Sequence, residues 1–136
     1  MSRVHAYIGF DGNCQQAMNF YQDALGGELF VQLVSESPIA AQMPDAMQHK
    51  VVHAQLEHGD LMLMASDMTS SDELRRGQSV SLMLVPDTLE EAHAVFDKLS
   101  VGGTVRQPLS ESFWGATFGD CVDPYGVTWM VNYTKA

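Results

Sequence analysis

Residues of the first half of the chain return in the second at a fixed distance. Asp11 and Asp87, Phe20 and Phe96, Gly26 and Gly102, and Gly27 and Gly103 are each 76 positions apart. The helix-start signals Asn13 and Thr88 lie 75 apart, so one helix differs by a residue. A constant offset means one supersecondary unit used twice, and it restricts the fold before any element is drawn. In the first copy, Val4–Phe10 reads as a strand. Asn13 then serves as helix N-cap with Gln16 at N3, and Ala17, Phe20 and Ala24 fall on one helical face. Gly26-Gly27 ends the helix, where a left-handed residue is wanted. Strands follow over Glu28–Ser35, Lys50–His58 and Asp60–Asp67, the last two joined near Gly59-Asp60. The second copy has a strand over Ser79–Val85, a cap at Thr88 with Glu91 at N3, and a stripe of Leu89, Ala92, Phe96 and Leu99. Gly102-Gly103 closes it, and strands follow near Thr104–Pro108, Trp114–Cys121 and Val127–Tyr133. The order is βαβββ twice.

One such unit covers only one face of its sheet with its helix, and the other face needs a partner. The expected fold is therefore α+β, two βαβββ modules forming a curved eight-stranded incomplete barrel with helices outside and a cleft inside. Residues 1–136 are read as one domain, with module 1 over about 1–67, a polar linker over 68–77 and module 2 over about 78–136. The loop over 35–49, with Pro38 and Pro44, is long enough for a lid or a dimer contact. Strand alternation assigns side chains to faces. Val4, Ala6, Ile8 and Phe10 go to the helix, leaving His5, Tyr7 and Gly9 in the cleft. Val80, Leu82 and Leu84 go to the helix, leaving Ser79, Ser81 and Met83. The remaining cleft sets are Val51, His53 and Gln55; Met62, Met64 and Ser66; and Thr128, Met130 and Asn132.

The 136 residues carry a net charge of −10. Nucleic acid and anionic membrane both need clustered Lys and Arg, so neither is an expected partner. Two cysteines are too few for a disulfide framework, and a reduced, cytoplasmic chain is the natural reading. Asp11 interrupts the N-terminus before a signal-peptide core can form. No apolar run approaches the ~20 residues of a membrane span.

The most specific stretch is Trp114-Gly115-Ala116-Thr117-Phe118-Gly119 followed by Asp123-Pro124-Tyr125-Gly126-Val127-Thr128-Trp129. Asp, Pro and Gly stand where a type I turn prefers them. With Phe10-x-Gly12-Asn13-Cys14-x-x-Ala17-x-x-Phe20-Tyr21, Leu25-Gly26-Gly27-Glu28, His53-Ala54 and Ser66-Asp67, it resembles the vicinal-oxygen-chelate (glyoxalase/bleomycin-resistance) superfamily, PhnB-like branch. The resemblance implies paired βαβββ modules of the dihydroxybiphenyl-dioxygenase-like fold, usually in a homodimer, with a small molecule bound in the cleft. In metal-dependent members four strands each supply one ligand to a divalent ion. The corresponding positions here fall at or next to His5, Met64, Ser81 and Met130. Thioether and hydroxyl groups do not replace carboxylates for hard or borderline ions, so no metal site of the family type is expected. PhnB-like sequences are also often labelled demethylubiquinone methyltransferase-like. That chemistry needs a Gly-rich strand-to-helix turn, and both Gly-Gly pairs here end helices.

Two functional classes follow. One is a non-catalytic binder that sequesters a ligand, for which a cation would suit the negative chain. The other is a glyoxalase-like lyase, isomerase or dioxygenase, with His5 and His53 as acid and base or as ligands of a divalent metal in a relocated site. His49 and His53 cannot share an ion, because four residues of strand span ~13 Å. His53 has a structural alternative as a hydrogen-bonded core histidine. Tyr7 and Ser81 could converge with His5 on the cleft floor, or merely be wetted by water. Met64, Met83 and Met130 would give a soft apolar wall or ordinary core. Asp67 either orients a cleft residue or caps a loop. Trp114 either stacks a planar ligand or fills a hairpin. Arg106 either binds an anion or lies on a solvated strand edge. Cys14, at the first turn of a helix, is a candidate reactive thiol or a bystander, whereas Asp120 and Asp123 disfavour a thiolate at Cys121. His58 is expected in a turn and His93 on a helix flank, neither with a role.

Overall fold

The computed structural model describes residues 2–68 and 74–135. The chain divides into two compact units between Arg75 and Arg76. The first contains β1 (Ala6–Gly9), α1 (Cys14–Leu25), β2 (Glu28–Leu33), β3 (Val51–His58) and β4 (Leu61–Ser66). Its sheet runs β1-β4-β3-β2, with β1 parallel to β4 and the other two pairings antiparallel. The second contains β5 (Leu82–Leu84), α2 (Leu89–Ser100), β6 (Thr104–Glu111), β7 (Ala116–Val122) and β8 (Thr128–Thr134). Its sheet runs β5-β8-β7-β6 with the same pattern of directions. The eight strands are thus hydrogen-bonded as two four-stranded sheets of identical topology, as the doubled sequence requires. Residues 69–73 of the expected linker lie outside the described residues.

Each helix buries one stripe on one face of its own sheet. Ala17, Met18, Tyr21 and Ala24 meet Ile8, Ala54, Leu56, Leu63 and Ala65 in the first core, and Ala92, Val95, Phe96 and Leu99 meet Trp129 and Val131 in the second. Both helices have 12 residues. Their starts and ends are each 75 apart, so Tyr21, not Phe20, occupies the place of Phe96. Tyr21 is fully buried and Phe20 only half-buried. The odd residue is Val101, between α2 and Gly102. Gly27 and Gly103 recur because the chain passes against its own strand there. A Cβ at either would fall inside a carbonyl oxygen, that of Glu57 or of Val122. Gly119 has a packing reason too, since a Cβ would stand 2.8 Å from the Phe96 ring.

Several local expectations give way. Val4 (98 % exposed) and Val80 (74 %) precede strands too short to carry them onto the helix face. Leu89, in the first turn of α2, is exposed. Val51 leaves the set of His53 and Gln55, because the β2–β3 register slips between Gln32 and Leu33 and buries it. Strand β6 continues past Pro108, which an edge strand with an irregular register tolerates. β7 starts only at Ala116, because Ser112–Gly115 form a turn closed by Gly115 N–H donating to the Ser112 carbonyl. The 35–49 loop is wound into short 3-10 turns, and the Gln48 amide ties it by donating to the carbonyls of Ala40 and Met43. No helix among the described residues is long and apolar enough to cross a membrane.

Candidate functional site: the open sheet faces

With the helix on one face, register determines what the other face presents. Tyr7 pairs with Met64, Met64 with Gln55, and Gln55 with Phe30, forming one row across the first sheet. Tyr7 is 59 % and Phe30 58 % exposed. Beyond it Gly9 pairs with Ser66, and His53 with Gln32. The equivalent central row of the second sheet runs Met83, Met130, Asp120 and Gln107, with Met83 54 % exposed. The methionines expected to form a soft wall are therefore on open faces, two of them as directly paired neighbours.

A chain of polar contacts runs along β3. Gln55 Nε2 donates to Glu57 Oε1 at 2.7 Å, and His53 Nε2 lies 3.4 Å from Gln55 Oε1. The Tyr7 and His53 rings stand 6.2 Å apart, tilted by 36°. At the β3–β4 hairpin end, a depression of about 660 Å³ is lined by His5, Glu57, Asp60 and Met62 among others. That volume is in the range of small-molecule sites. His5 lies before β1 and lines the depression with Met62, three residues before Ile8, whereas His53 lies one residue beyond Ala54, whose row runs through Ala65 to Ile8. Four residues of strand and two strand spacings thus separate the histidines, ~13 Å along the sheet alone. The structure does not bring them together for acid–base work or for one ion.

Asp67 is buried and fully occupied. Its Oδ1 accepts from Gly12 N–H at 2.8 Å and Cys14 N–H at 3.0 Å, and its Oδ2 from Val51 N–H at 2.9 Å. It caps α1 from a distant strand, and Asn13 makes no side-chain cap. The Thr88 cap forms as expected, accepting from Glu91 N–H at 3.0 Å. Asp123 does comparable work in the last hairpin, accepting from Tyr125 N–H, Val127 N–H and Trp129 Nε1. His58 ends β3 and its Nδ1 donates to the Leu25 carbonyl at 2.7 Å, closing the C-terminus of α1. Sequence alone assigns it no role, because Leu25 lies 33 residues away and leaves no local signal.

Ser81 is half-buried just before β5. Trp114 packs edge-on against Phe113 and Phe118 around the β6–β7 turn. Arg106 Nε lies 3.6 Å from Asp120 Oδ1, and that buried oxygen has no hydrogen-bond partner among the described residues. Cys14 is fully buried. Burial, then the Asp67 charge, pushes it up to about 12, which outweighs the helix terminus. Burial, then Asp123 and Asp120, pushes Cys121 up to about 11.

A model of the Glyoxalase/Bleomycin resistance protein/Dioxygenase superfamily matches residues 3–131. The chain belongs to that superfamily. Protein YjdN of Escherichia coli (strain K12) is 32 % identical over 139 residues, 95 % of this chain and 93 % of that protein. The crystal structure of protein PA1353 from Pseudomonas aeruginosa superposes with a TM-score of 0.87 at 35 % identity, over all of both chains. A candidate 3-demethylubiquinone-9 3-methyltransferase, the PhnB protein of Bacillus cereus, gives 0.78 at 24 % identity, over 98 % of this chain and 100 % of that one. At that identity the last likeness concerns the fold. Both Gly-Gly pairs here follow helices, as expected, so neither makes a strand-to-helix turn for a methyl donor.

Metal binding is common in this superfamily. Register sets Tyr7, not His5, beside Met64, and Met83, not Ser81, beside Met130. Neither pair, a phenol with a thioether in the first unit or two thioethers in the second, suits a hard or borderline divalent ion. Among the described residues, no three His, Cys, Asp or Glu side chains converge. The residues present do not fit the ion.

Proposed function

We propose that this glyoxalase-superfamily protein binds a small, mostly apolar, planar molecule on its open sheet faces, as a homodimer and without the family's divalent ion. One observation carries the reading. The family's metal positions fall at or next to His5, Met64, Ser81 and Met130, and strand register sets Tyr7 beside Met64 and Met83 beside Met130. Thioethers adapt to irregular apolar ligands, and an aromatic ring supplies a stacking plane. The polar groups His53, Gln55 and Glu57 border this surface and give it orientation-setting contacts of the kind ligand sites use. The homodimer is carried over from the family.

The test is elemental analysis of natively purified protein, followed by thermal melts with and without EDTA and with a set of planar aromatic compounds. The expected result is far less than one ion per chain, a melt unmoved by EDTA, and upward shifts with some aromatics. One tightly held divalent ion per chain, with a lower melting temperature on chelation, would overturn the reading. Sedimentation equilibrium tests the dimer.

A further inference from the structure

The direction of the hydrogen-bond chain along β3 follows from the chemistry of its members. A carboxylate only accepts, so the contact between Gln55 Nε2 and Glu57 Oε1 at 2.7 Å fixes the Gln55 amide with its nitrogen toward Glu57. The Gln55 carbonyl oxygen, which also only accepts, is thereby turned toward His53 Nε2 at 3.4 Å. To complete the chain the imidazole must carry its proton on Nε2. A neutral ring protonated there holds its lone pair on Nδ1. The geometry points to His53 Nδ1 as a hydrogen-bond acceptor for ligand on the open face of the first sheet, with Gln55 and Glu57 as positioning residues that hold the tautomer. The inference rests on the small-molecule reading and adds a ligand class to it.

That class follows from the neighbours. Tyr7 stands 6.2 Å from the His53 ring and is more than half exposed, as is Phe30 at the far end of the same row as Tyr7 and Gln55. A flat ligand covering this row offers its edge to the imidazole. An Nδ1 lone pair takes a donor, so the ligand is a neutral planar molecule with a weakly acidic hydroxyl, a phenol or enol.

Two measurements on the full chain test this. In ¹⁵N-histidine-labelled protein, long-range proton–nitrogen correlation reads the tautomer of His53, assigned by its loss in His53→Gln. The Nε2–H form is expected, with the Nδ1–H form appearing in Gln55→Leu, which removes the acceptor, and in Glu57→Gln, which lets the Gln55 amide turn over. A wild-type ring protonated on Nδ1, or a tautomer unmoved in both variants, overturns the proposal. Phenol and anisole are then titrated as probes, since anisole keeps the ring and lacks the donor. Phenol is expected to bind about 3–10-fold more tightly, the worth of one net hydrogen bond, and the ratio to fall toward one in Gln55→Leu. Equal binding of the two refutes the acceptor while leaving the apolar face a ligand surface. No perturbation of any open-face resonance by either compound refutes both.

Discussion

Replacing Asp67 by Asn separates its two readings, a group presented to ligand and a latch of the fold. The carboxylate accepts three backbone N–H donors, from Gly12, Cys14 and Val51, at 2.8–3.0 Å. It is 4 % exposed, so little water can stand in. Asparagine has nearly the same shape but only one accepting oxygen. Turned toward Gly12 and Cys14, it keeps two bonds and sets its NH2 group against the Val51 N–H. One charge-assisted bond is then lost, at about 1.5–3 kcal/mol, and the other two weaken to neutral strength, by about 0.5–1.5 kcal/mol each. Part of this is offset because the amide is cheaper to bury than the carboxylate. The net expectation is about 2–4 kcal/mol, a large share of a typical total of ~5–15 kcal/mol.

Urea titration followed by far-UV circular dichroism measures it. With a slope of about 2 kcal/mol per molar, the midpoint should fall by about 1–2 M with the slope unchanged. Hydrogen exchange adds a local reading, because the Gly12, Cys14 and Val51 amides should lose protection more than the α2 amides. A loss under ~1 kcal/mol with those three amides still protected would refute the latch. A ligand role without a latch would appear as weaker binding at unchanged stability.

Three further outcomes follow from the same structure. Gly27→Ala should cost more than about 2 kcal/mol by thermal melt, because its Cβ would overlap the Glu57 carbonyl, whereas Gly12→Ala, equally left-handed but facing open space, should cost about 1 kcal/mol. The contribution of the two buried thiols to stability should be constant up to about pH 9 and then fall. The buried thiols stay neutral in the fold to about 12 (Cys14) and about 11 (Cys121), against 9.0 without the fold, so the unfolded chain gains the thiolate first, with a slope of up to about 1.4 kcal/mol per pH unit per thiol. Urea midpoints between pH 8 and 11 check this, and Cys14→Ala should halve the fall. Arg106→Met should destabilise by about 2 kcal/mol, since it leaves the Asp120 carboxylate buried without its counter-ion, while Asp120→Asn should cost under ~1 kcal/mol; the reverse order in denaturant melts would contradict the pairing.

What was legible in the sequence was what repeats or is local. The 76-residue offset fixed two modules of one topology, and Thr88 with Glu91 marked a helix start from four residues alone. Asp123-Pro124-Tyr125-Gly126 specified its own turn, closed by Gly126 N–H donating to the Asp123 carbonyl at 3.1 Å. What was illegible depends on groups far apart in the chain. Asn13 looked like a cap, but Asp67, more than 50 residues away, satisfies the α1 amides. Cys14 stood between a reactive thiol and a bystander because a helix start is visible in sequence and the burial and Asp67 charge that raise its thiol are not. The one-residue choice between Phe20 and Tyr21 turned on where the extra residue of the second module sits. The faces of Tyr7, Met64, Met83 and Met130 followed from alternation. Which of them are neighbours needed the parallel registers of β1 with β4 and of β5 with β8, which no local pattern encodes.

The two open faces show how far duplication constrains chemistry. Met64 and Met130 hold equivalent central places, each beside the first strand of its module. Around them every equivalent position has changed type. Tyr7 is answered by Met83, Gln55 by Asp120, and Phe30 by Gln107, next to Arg106 in a strand whose register is irregular there. The first module thus has a neutral amide that passes a hydrogen bond from imidazole to an exposed carboxylate. The second has a buried carboxylate held by a half-exposed guanidinium. An Asp at position 55 could not bridge Glu57 and His53, because it would repel the one and offer no donor to it. A Gln at position 120 would give Arg106 no charge to answer. The frame is shared because backbone pairing and helix packing ignore the open-face side chains. Those side chains are consequently free to specialise, and in the first module they have done so around a directional chain that joins an imidazole to a carboxylate.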